Sequence, residues 1–283
     1  SRCRCSACSC SCRCGRWHNL WQWRYARHLA HNSCCVSGTP QVPGPEITEQ
    51  INAICGGCQG LTVLFGVTPA YAALGSRLLA FDSSPGMISA IWPGNDARRQ
   101  AQVADWVALP VATASAQQVL GDGALNSVPN RTVLRAVLGE VRRILHPEGR
   151  AVFRVFARPA KPETVGEVLQ TVRDGGIESL NTLRWRIASA LASAPDHQVS
   201  VADILAAAES LGDLADFAAA RGMDPDQARH FHAYRGSSAS YVFPDRPALV
   251  EDAQSAGLAC EWVETQGYPG ARDCPLAVMR TVA

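Results

Sequence analysis

The chain has 283 residues, 47% of them hydrophobic, so it can bury a sizeable core in one or two domains. Its 26 Lys and Arg residues nearly balance 25 Asp and Glu residues, which excludes the strongly basic field that most nucleic-acid binders show. No apolar run approaches the roughly 20 residues of a membrane span, and no apolar signal core follows the N-terminal arginines. We therefore expect a cytoplasmic protein with a small-molecule substrate.

Residues 1–44 read as a tail rich in Cys, Arg and Trp that ends in a Pro/Gly linker. Eight of the twelve cysteines lie in the first 35 residues. The C-x-C and C-x-x-C spacings between Cys3 and Cys14 would let thiolates share a soft metal ion, so metal binding by the tail is one open alternative. The low-complexity composition favours a disordered extension instead.

Residues 45–160 are predicted to form the core. PEITEQINAI predicts a helix with Pro45 in its first turn. Cys55 and Cys58 form a C-x-x-C that closes this helix, whereas a redox motif would open one. Five short apolar runs follow, LTVLFG, RLLAFD, AQVAD, QQVLGD and AVFRVFARP, and helical patterns separate them. This alternation predicts an α/β fold, a Rossmann-like doubly wound and mostly parallel sheet.

Ligands of such sheets bind at the carboxyl ends of the strands, so the residues that follow each run are the candidate site. Acids stand at three successive strand ends, Asp82, Asp105 and Asp122. An Asp that ends the second strand can accept hydrogen bonds from both hydroxyls of a ribose. After the first run, Thr68 and Pro69 predict the start of a helix whose free N–H groups would face an anion.

Residues 161–240 are predicted to form a helical insertion that leaves the fifth strand and covers the site as a lid. Four helical segments are expected: VGEVLQTVRDGG, LNTLRWRIASALAS, SVADILAAAESLGDLADFAAARG and DPDQARHFHAYRG. Tyr234 and His232 are candidate general bases. His230 and His232 form an H-x-H pair without an evident third ligand, so no metal site is predicted. Polar and aromatic groups also stand on the second helix, at Asn181, Arg184, Trp185 and Arg186.

Residues 241–283 are predicted to complete the core. RPALVEDAQSAGL has the pattern of a helix, and ACEWVETQGY and PLAVMRTVA have the pattern of two strands. The short connection PGARDC would join these strands into a closing hairpin. We expect the last strand of the sheet to be antiparallel to the others.

Three segments, AQVADWVALP, VLGDGALNSVP and ILHPEGRAVFRVF, resemble in order and spacing parts of class I S-adenosylmethionine-dependent methyltransferases. These parts are the third strand with its acid, the loop after the fourth strand, and the signature that precedes and forms the fifth strand. The resemblance covers residues 61–159 and implies S-adenosylmethionine as cofactor. The residues that it implies in cofactor binding are Gly66, Thr68, Asp82, Ser83, Met87, Asp105, Trp106, Asp122, Gly123 and Asn126.

The resemblance also implies a role for each part of this set. The backbone from Gly66 onward would face the methionine part of the cofactor, and Asp82 would bind the ribose hydroxyls. Ser83, Met87 and Trp106 would line the adenosine pocket, with Asp105 accepting from the adenine amino group. Asp122, Gly123 and Asn126 would flank the methyl group.

One departure from the family pattern concerns the first loop, where only Gly66 stands in place of a G-x-G-x-G series. The three-glycine pyrophosphate turn of a dehydrogenase is missing as well. We therefore predict a methyltransferase with an unidentified small-molecule acceptor. A non-catalytic cofactor-binding or regulatory protein of the same fold stays open as the alternative.

Overall fold

The computed structural model describes residues 43–268 and 270–282. The predictions made for the cysteine-rich tail concern residues that lie outside this part of the chain. Within the described residues, no helix combines the length and the apolar character that a membrane crossing requires.

Seven strands form the central sheet and two form a separate ladder in the insertion. The strands are β1 (Leu61–Phe65), β2 (Arg77–Asp82), β3 (Arg99–Val103), β4 (Ala116–Asp122), β5 (Leu145–Arg154), β6 (Gln198–Ser200), β7 (Ser240–Val242), β8 (Leu258–Val263) and β9 (Leu276–Thr281). The sheet order is β3-β2-β1-β4-β5-β9-β8. Strands β1 to β5 pair in parallel, and β9 is antiparallel to both of its neighbours. The predicted Rossmann-like sheet is confirmed, including its antiparallel last strand.

Helices cover both faces of the sheet. They are α1 (Pro45–Ile54), α2 (Pro85–Ile91), α3 (Arg131–Ile144), α4 (Val165–Arg173), α5 (Leu180–Leu191), α6 (Val201–Glu209), α7 (Leu214–Ala219), α8 (Ala228–His232) and α9 (Arg246–Ser255). One apolar cluster joins one sheet face to α3 and α9. A second cluster joins α1 and the insertion helices to the other face. The insertion helices therefore pack on the same sheet face as α1, opposite the face covered by α3 and α9.

The insertion is more divided than its sequence pattern predicts. The long third helical segment is two helices, α6 and α7, because Gly212 adopts a φ of 93° between them. Asp213 then caps α7 by accepting from the N–H groups of Ala215 and Asp216. The short ladder of β6 and β7 was not predicted, because three-residue strands leave no periodic signal.

The prediction of a helix that starts at Thr68 and Pro69 is wrong. The structure has only one turn of 3-10 helix there, Pro69–Tyr71, and the Thr68 side chain makes no capping hydrogen bond. The chain must return to begin β2 at Arg77, and the N–H of Leu74 already closes a turn on the carbonyl of Tyr71. The connection is too short for an α-helix, so no helix N-terminus faces the site at this point.

Gly121 in β4 is required by packing. A Cβ atom there would lie 2.5 Å from a ring carbon of Phe153 and 3.0 Å from the Cβ of Ala124. We expect Gly121→Ala to lower the free energy of unfolding by about 1–3 kcal/mol, as overpacked cores do. Urea denaturation measures this change.

Gly139 is the matched control. It lies inside α3, and a Cβ there would meet nothing within 4 Å. Gly139→Ala should raise stability by up to about 1 kcal/mol through helix propensity. Equal effects of the two substitutions would contradict the packing explanation.

Candidate functional site

A cleft of about 490 Å³ lies at the carboxyl ends of β1, β2 and β4. The strand order reverses between β1 and β4, which is where doubly wound sheets bind their ligands. Nine of the ten residues predicted to bind the cofactor line this one cleft: Gly66, Thr68, Asp82, Ser83, Met87, Asp105, Trp106, Asp122 and Gly123.

The loop after β1 turns at Gly66. Its φ is 90°, a conformation that favours glycine, and its N–H donates to the carbonyl of Phe81 over 2.8 Å. A Cβ atom at this position would meet only the Trp106 ring, at 3.9 Å. The backbone conformation therefore requires glycine here, and a close approach of backbone to ligand would add to that requirement.

Asp82 ends β2 and faces the cleft. One carboxylate oxygen accepts from the N–H of Ser84 over 2.8 Å, which fixes the side chain just before α2. The Ser84 hydroxyl in turn caps α2 by accepting from the N–H of Met87 over 3.2 Å. Burial raises the pKa of Asp82, and the hydrogen bond from Ser84 opposes that rise. Asp82 is thus an acceptor fixed in position by the N–H of Ser84, and burial raises its pKa.

Trp106 forms the wall beside the end of β3. Its indole N–H donates to the carbonyl of Phe81 over 2.7 Å, and its ring lies 5.9 Å from that of Phe65. Both contacts fix the ring plane. The preceding Asp105 is exposed and accepts from the N–H of Val107 over 3.1 Å. This corner of the cleft offers a flat apolar surface next to a carboxylate.

A buried ion pair closes the floor of the cleft. Asp122 and Arg154 end β4 and β5 as direct register partners, and the Arg154 Nε lies 2.5 Å from Asp122 Oδ1. Arg154 is fully buried, and its guanidinium lies 5.8 Å from the ring centres of both Phe156 and Tyr268. Burial raises the pKa of Asp122, while the charge of Arg154 opposes that rise. Arg154 is absent from the residues predicted above, although a lone charge inside AVFRVF was the available signal.

Asn126 does not line the cleft, unlike the other residues of the predicted set. Its amide group donates to the carbonyls of Phe156 and Val242, and its oxygen accepts from the N–H of Phe156. The side chain is buried and occupied by these backbone groups. Its role in the structure is to hold Phe156, rather than to flank a methyl group.

The insertion supplies the remaining wall of the cleft through Arg184, Trp185 and Tyr241. Arg184 is 3% exposed, and its guanidinium lies 5.2 Å from the Trp185 ring. The Trp185 ring stacks on that of Phe156 with 4.3 Å between centres. Tyr241 and Phe156 are not predicted from the sequence, because their placement depends on how the insertion folds back.

The two candidate general bases are not among the residues that line the cleft. Tyr234 is buried, with its hydroxyl 3.4 Å from that of Tyr241, and His232 lies at the end of α8. His230 faces Asn181 at 2.7 Å. Within the described residues, no three His, Cys, Asp or Glu side chains are grouped to hold a metal ion.

Residues 60–153 match the family model of the methyltransferase domain. The match spans β1 to β5 and includes the loops that carry Gly66, Asp82 and Asp122. No curated protein matches the sequence. Residues 60–153 are thus similar to a methyltransferase domain, and the described core has the Rossmann-like fold expected of one.

Solved structures with the same overall fold have low sequence identity to this chain. The CcbJ methyltransferase from Streptomyces caelestis is 14% identical, with a TM-score of 0.53 over 93% of this chain and 99% of that one. A Burkholderia thailandensis 1,6-didemethyltoxoflavin-N1-methyltransferase, solved with S-adenosylhomocysteine, is 13% identical, with a TM-score of 0.51 over 92% and 85%. A Rhodobacter sphaeroides structure, provisionally described as Zn-dependent alcohol dehydrogenases, is 13% identical, with a TM-score of 0.54 over 94% and 100%. These likenesses concern the fold alone.

The Asp122–Arg154 pair should show strong energetic coupling. We expect Arg154→Met to cost about 3–5 kcal/mol of unfolding free energy, because it leaves a buried carboxylate without its partner. The double variant with Asp122→Asn should lose much less than the sum of the single losses. Denaturant titration of the four proteins measures the coupling.

Arg280 is the matched control for the ion pair. It lies in β9 of the same sheet and pairs with exposed Glu261 at 3.5 Å. Arg280→Met should cost no more than about 1 kcal/mol. Strict additivity at Asp122 and Arg154 would show that the buried pair contributes nothing beyond two separate side chains.

Proposed function

We propose that this protein is a cytoplasmic methyltransferase that uses S-adenosylmethionine to methylate a small molecule. The observation that carries the proposal is the cleft at the switch point, with one acid at the carboxyl end of each of β2, β3 and β4. Its volume of about 490 Å³ falls in the range of roughly 300–1,000 Å³ typical of small-molecule and cofactor sites.

The adenosine end of the cofactor fits the part of the cleft around β2 and β3. Asp82 stands at the strand end where a carboxylate accepts from ribose hydroxyls. The fixed Trp106 ring offers a surface for stacking of a base, since aromatic faces favour offset contacts. Asp105 is an acceptor within reach of solvent for an exocyclic amino group.

The methionine end fits the part around β1 and β4. Asp122, which also pairs with Arg154, lines the cleft there with its carboxylate, and Arg184 of α5 lines the same cleft with a guanidinium. These opposite charges match the ammonium and carboxylate groups of an amino acid. Gly66 provides the backbone turn, and no helix N-terminus contributes. Side-chain charge thus substitutes for the missing glycine series.

S-adenosylmethionine would supply a methyl carbon bonded to a sulfonium sulfur. The acceptor lone pair would form a bond to this carbon as the carbon–sulfur bond breaks, the sulfur would leave as the neutral thioether of S-adenosylhomocysteine, and the acceptor's proton would pass to water. The chain's contribution is positioning and exclusion of water by the insertion. Alignment of reacting atoms at about 3–3.5 Å can lower a barrier by several kcal/mol without a catalytic side chain. The absence of Tyr234 and His232 from the cleft lining is consistent with this type of catalysis.

A non-catalytic cofactor-binding protein is the second candidate. It is favoured by the single glycine of the β1 loop, which limits how closely the backbone approaches a ligand. Methyl transfer from radiolabelled cofactor to a pool of small metabolites separates the two candidates. Tight cofactor binding with no labelled product across the pool would favour the second.

Calorimetric titration with S-adenosylhomocysteine tests the proposed cleft. We expect binding by the unaltered chain, and Asp82→Ala should weaken it by roughly 10- to 100-fold, the worth of hydrogen bonds to a charged group. Asp174→Ala, at an exposed carboxylate after α4, should leave the affinity unchanged. Absence of binding, or equal affinity of the Asp82 and Asp174 variants, would refute the assignment.

The affinity should also depend on pH through Asp82. Its ionised form is the better acceptor for ribose hydroxyls, and burial raises its pKa. Binding should therefore weaken on acidification, with a midpoint above the ordinary Asp value of about 3.9. In Asp82→Asn this loss of affinity on acidification should be absent. Any loss of affinity that remains at low pH would then come from protonation of Asp122. An unchanged pH profile in Asp82→Asn would contradict this role.

A further inference from the structure

A second cavity of about 700 Å³ lies beside the cofactor cleft, over the carboxyl end of β5 and the start of β9. Helix α5 of the insertion covers it on one side, and the chain after β5 bounds the other. Its volume also falls in the range of roughly 300–1,000 Å³ that suits one small ligand. The proposed cofactor site does not use this space.

The two cavities share a wall of two aromatic rings. Phe156 and Trp185 line both cavities, and their rings stack at 4.3 Å with 9° between their planes. Asn126 fixes the backbone of Phe156 with hydrogen bonds to its N–H and carbonyl. Phe156 belongs to the core and Trp185 to α5, so this shared wall joins the core to the insertion.

The interior of the second cavity is apolar with hydroxyl groups. Aromatic and aliphatic side chains are well represented in its lining, among them Phe156, Ile177, Trp185, Ala190 and Phe243. Ser179, Thr182 and Ser189 add hydroxyl groups. Such a lining combines broad apolar contact with a few orienting polar groups, as small-molecule sites do.

The charged side chains that line the second cavity do not favour a charged ligand. Arg186 donates to both carboxylate oxygens of Glu163, so the charges of these two side chains neutralise each other. The other charged residues that line it, Glu178, Arg272 and Asp273, are exposed and of mixed sign. A charged group buried in the interior would lose its hydration without gaining an ionic partner, which is costly. The cavity therefore suits an uncharged ligand.

We propose that this second cavity is the acceptor site, and that it binds an uncharged planar aromatic molecule bearing a hydroxyl group. The proposal rests on the proposed function, which places the methyl donor on the other side of the Phe156–Trp185 wall. The acceptor ring packs against the aromatic lining, and its hydroxyl reaches the cleft past the edge of the two stacked rings.

Three naphthalene probes with the same ring system test the chemistry of the cavity. The full chain is titrated by calorimetry with 2-naphthol, with the anion 2-naphthoate and with the cation of 2-naphthylmethylamine. We expect 2-naphthol to bind tightest, by about tenfold or more over either charged probe, since each charged group loses hydration on entry. A charged probe that binds as tightly as 2-naphthol would overturn the assigned class.

Filling the cavity tests its location. Ala190 lines the second cavity and not the cofactor cleft. Ala190→Phe should weaken 2-naphthol binding by about tenfold or more and leave S-adenosylhomocysteine binding unchanged. Ala206→Phe, at an exposed position on α6, is the matched control and should change neither. Thr182→Phe repeats the test if Ala190→Phe does not fold.

The outcomes separate this inference from the proposed function. Unchanged 2-naphthol affinity in a folded filling variant would overturn the acceptor site while S-adenosylhomocysteine binding still supported the cofactor cleft. Equal loss of both ligands in that variant would also overturn it, because the two cavities would then act as one. Failure of S-adenosylhomocysteine to bind the unaltered chain would remove the proposed function and this inference together.

Discussion

The ion pair between Asp122 and Arg154 is the contact on which the geometry of the site depends. The two residues end adjacent strands in direct register, so their charges meet only if β4 and β5 pair as observed. Both groups are withdrawn from water, and each would be costly to bury alone. The pair fixes where β4 ends, and with it the position of the loop that carries Gly123. The pair also places the Asp122 carboxylate at the cleft surface and the Arg154 guanidinium beneath it.

The same region joins the core to the insertion. Asn126 ties the loop after β4 to the chain after β5 and to β7, and Phe156 then carries the contact to Trp185. This arrangement explains why Asn126 is buried although it belongs to a strand-end loop. Asn126 is predicted to contact the ligand, but in the structure it fixes the backbone of Phe156, whose ring lines both cavities. Polar groups with defined hydrogen bonds thus position apolar groups that would otherwise pack loosely.

The sheet and most of the cleft could be predicted from the sequence, because the signals for them lie in short stretches of the chain. Apolar runs identify buried strands, and parallel pairing brings acids such as Asp82 and Asp122 to one edge. Other features depend on the length of a connection or on contacts between segments far apart in the sequence, which short stretches do not reveal. The helix predicted at Thr68 fails because Arg77 must begin the next strand soon afterwards. The run AVFRVFARP predicts a strand through Phe156, but β5 ends at Arg154, which frees Phe156 to turn toward the insertion.

Because Phe156 and Trp185 line both cavities, ligand binding in the two proposed sites would be thermodynamically coupled. A ligand in either cavity that moves or immobilises these rings changes the free energy of binding in the other. Linkage requires that change to be equal in both directions, whichever ligand binds first. With ligands in both proposed sites, this coupling would be positive if one ligand pre-orders the two rings, which lie 4.3 Å apart, and negative if it displaces them.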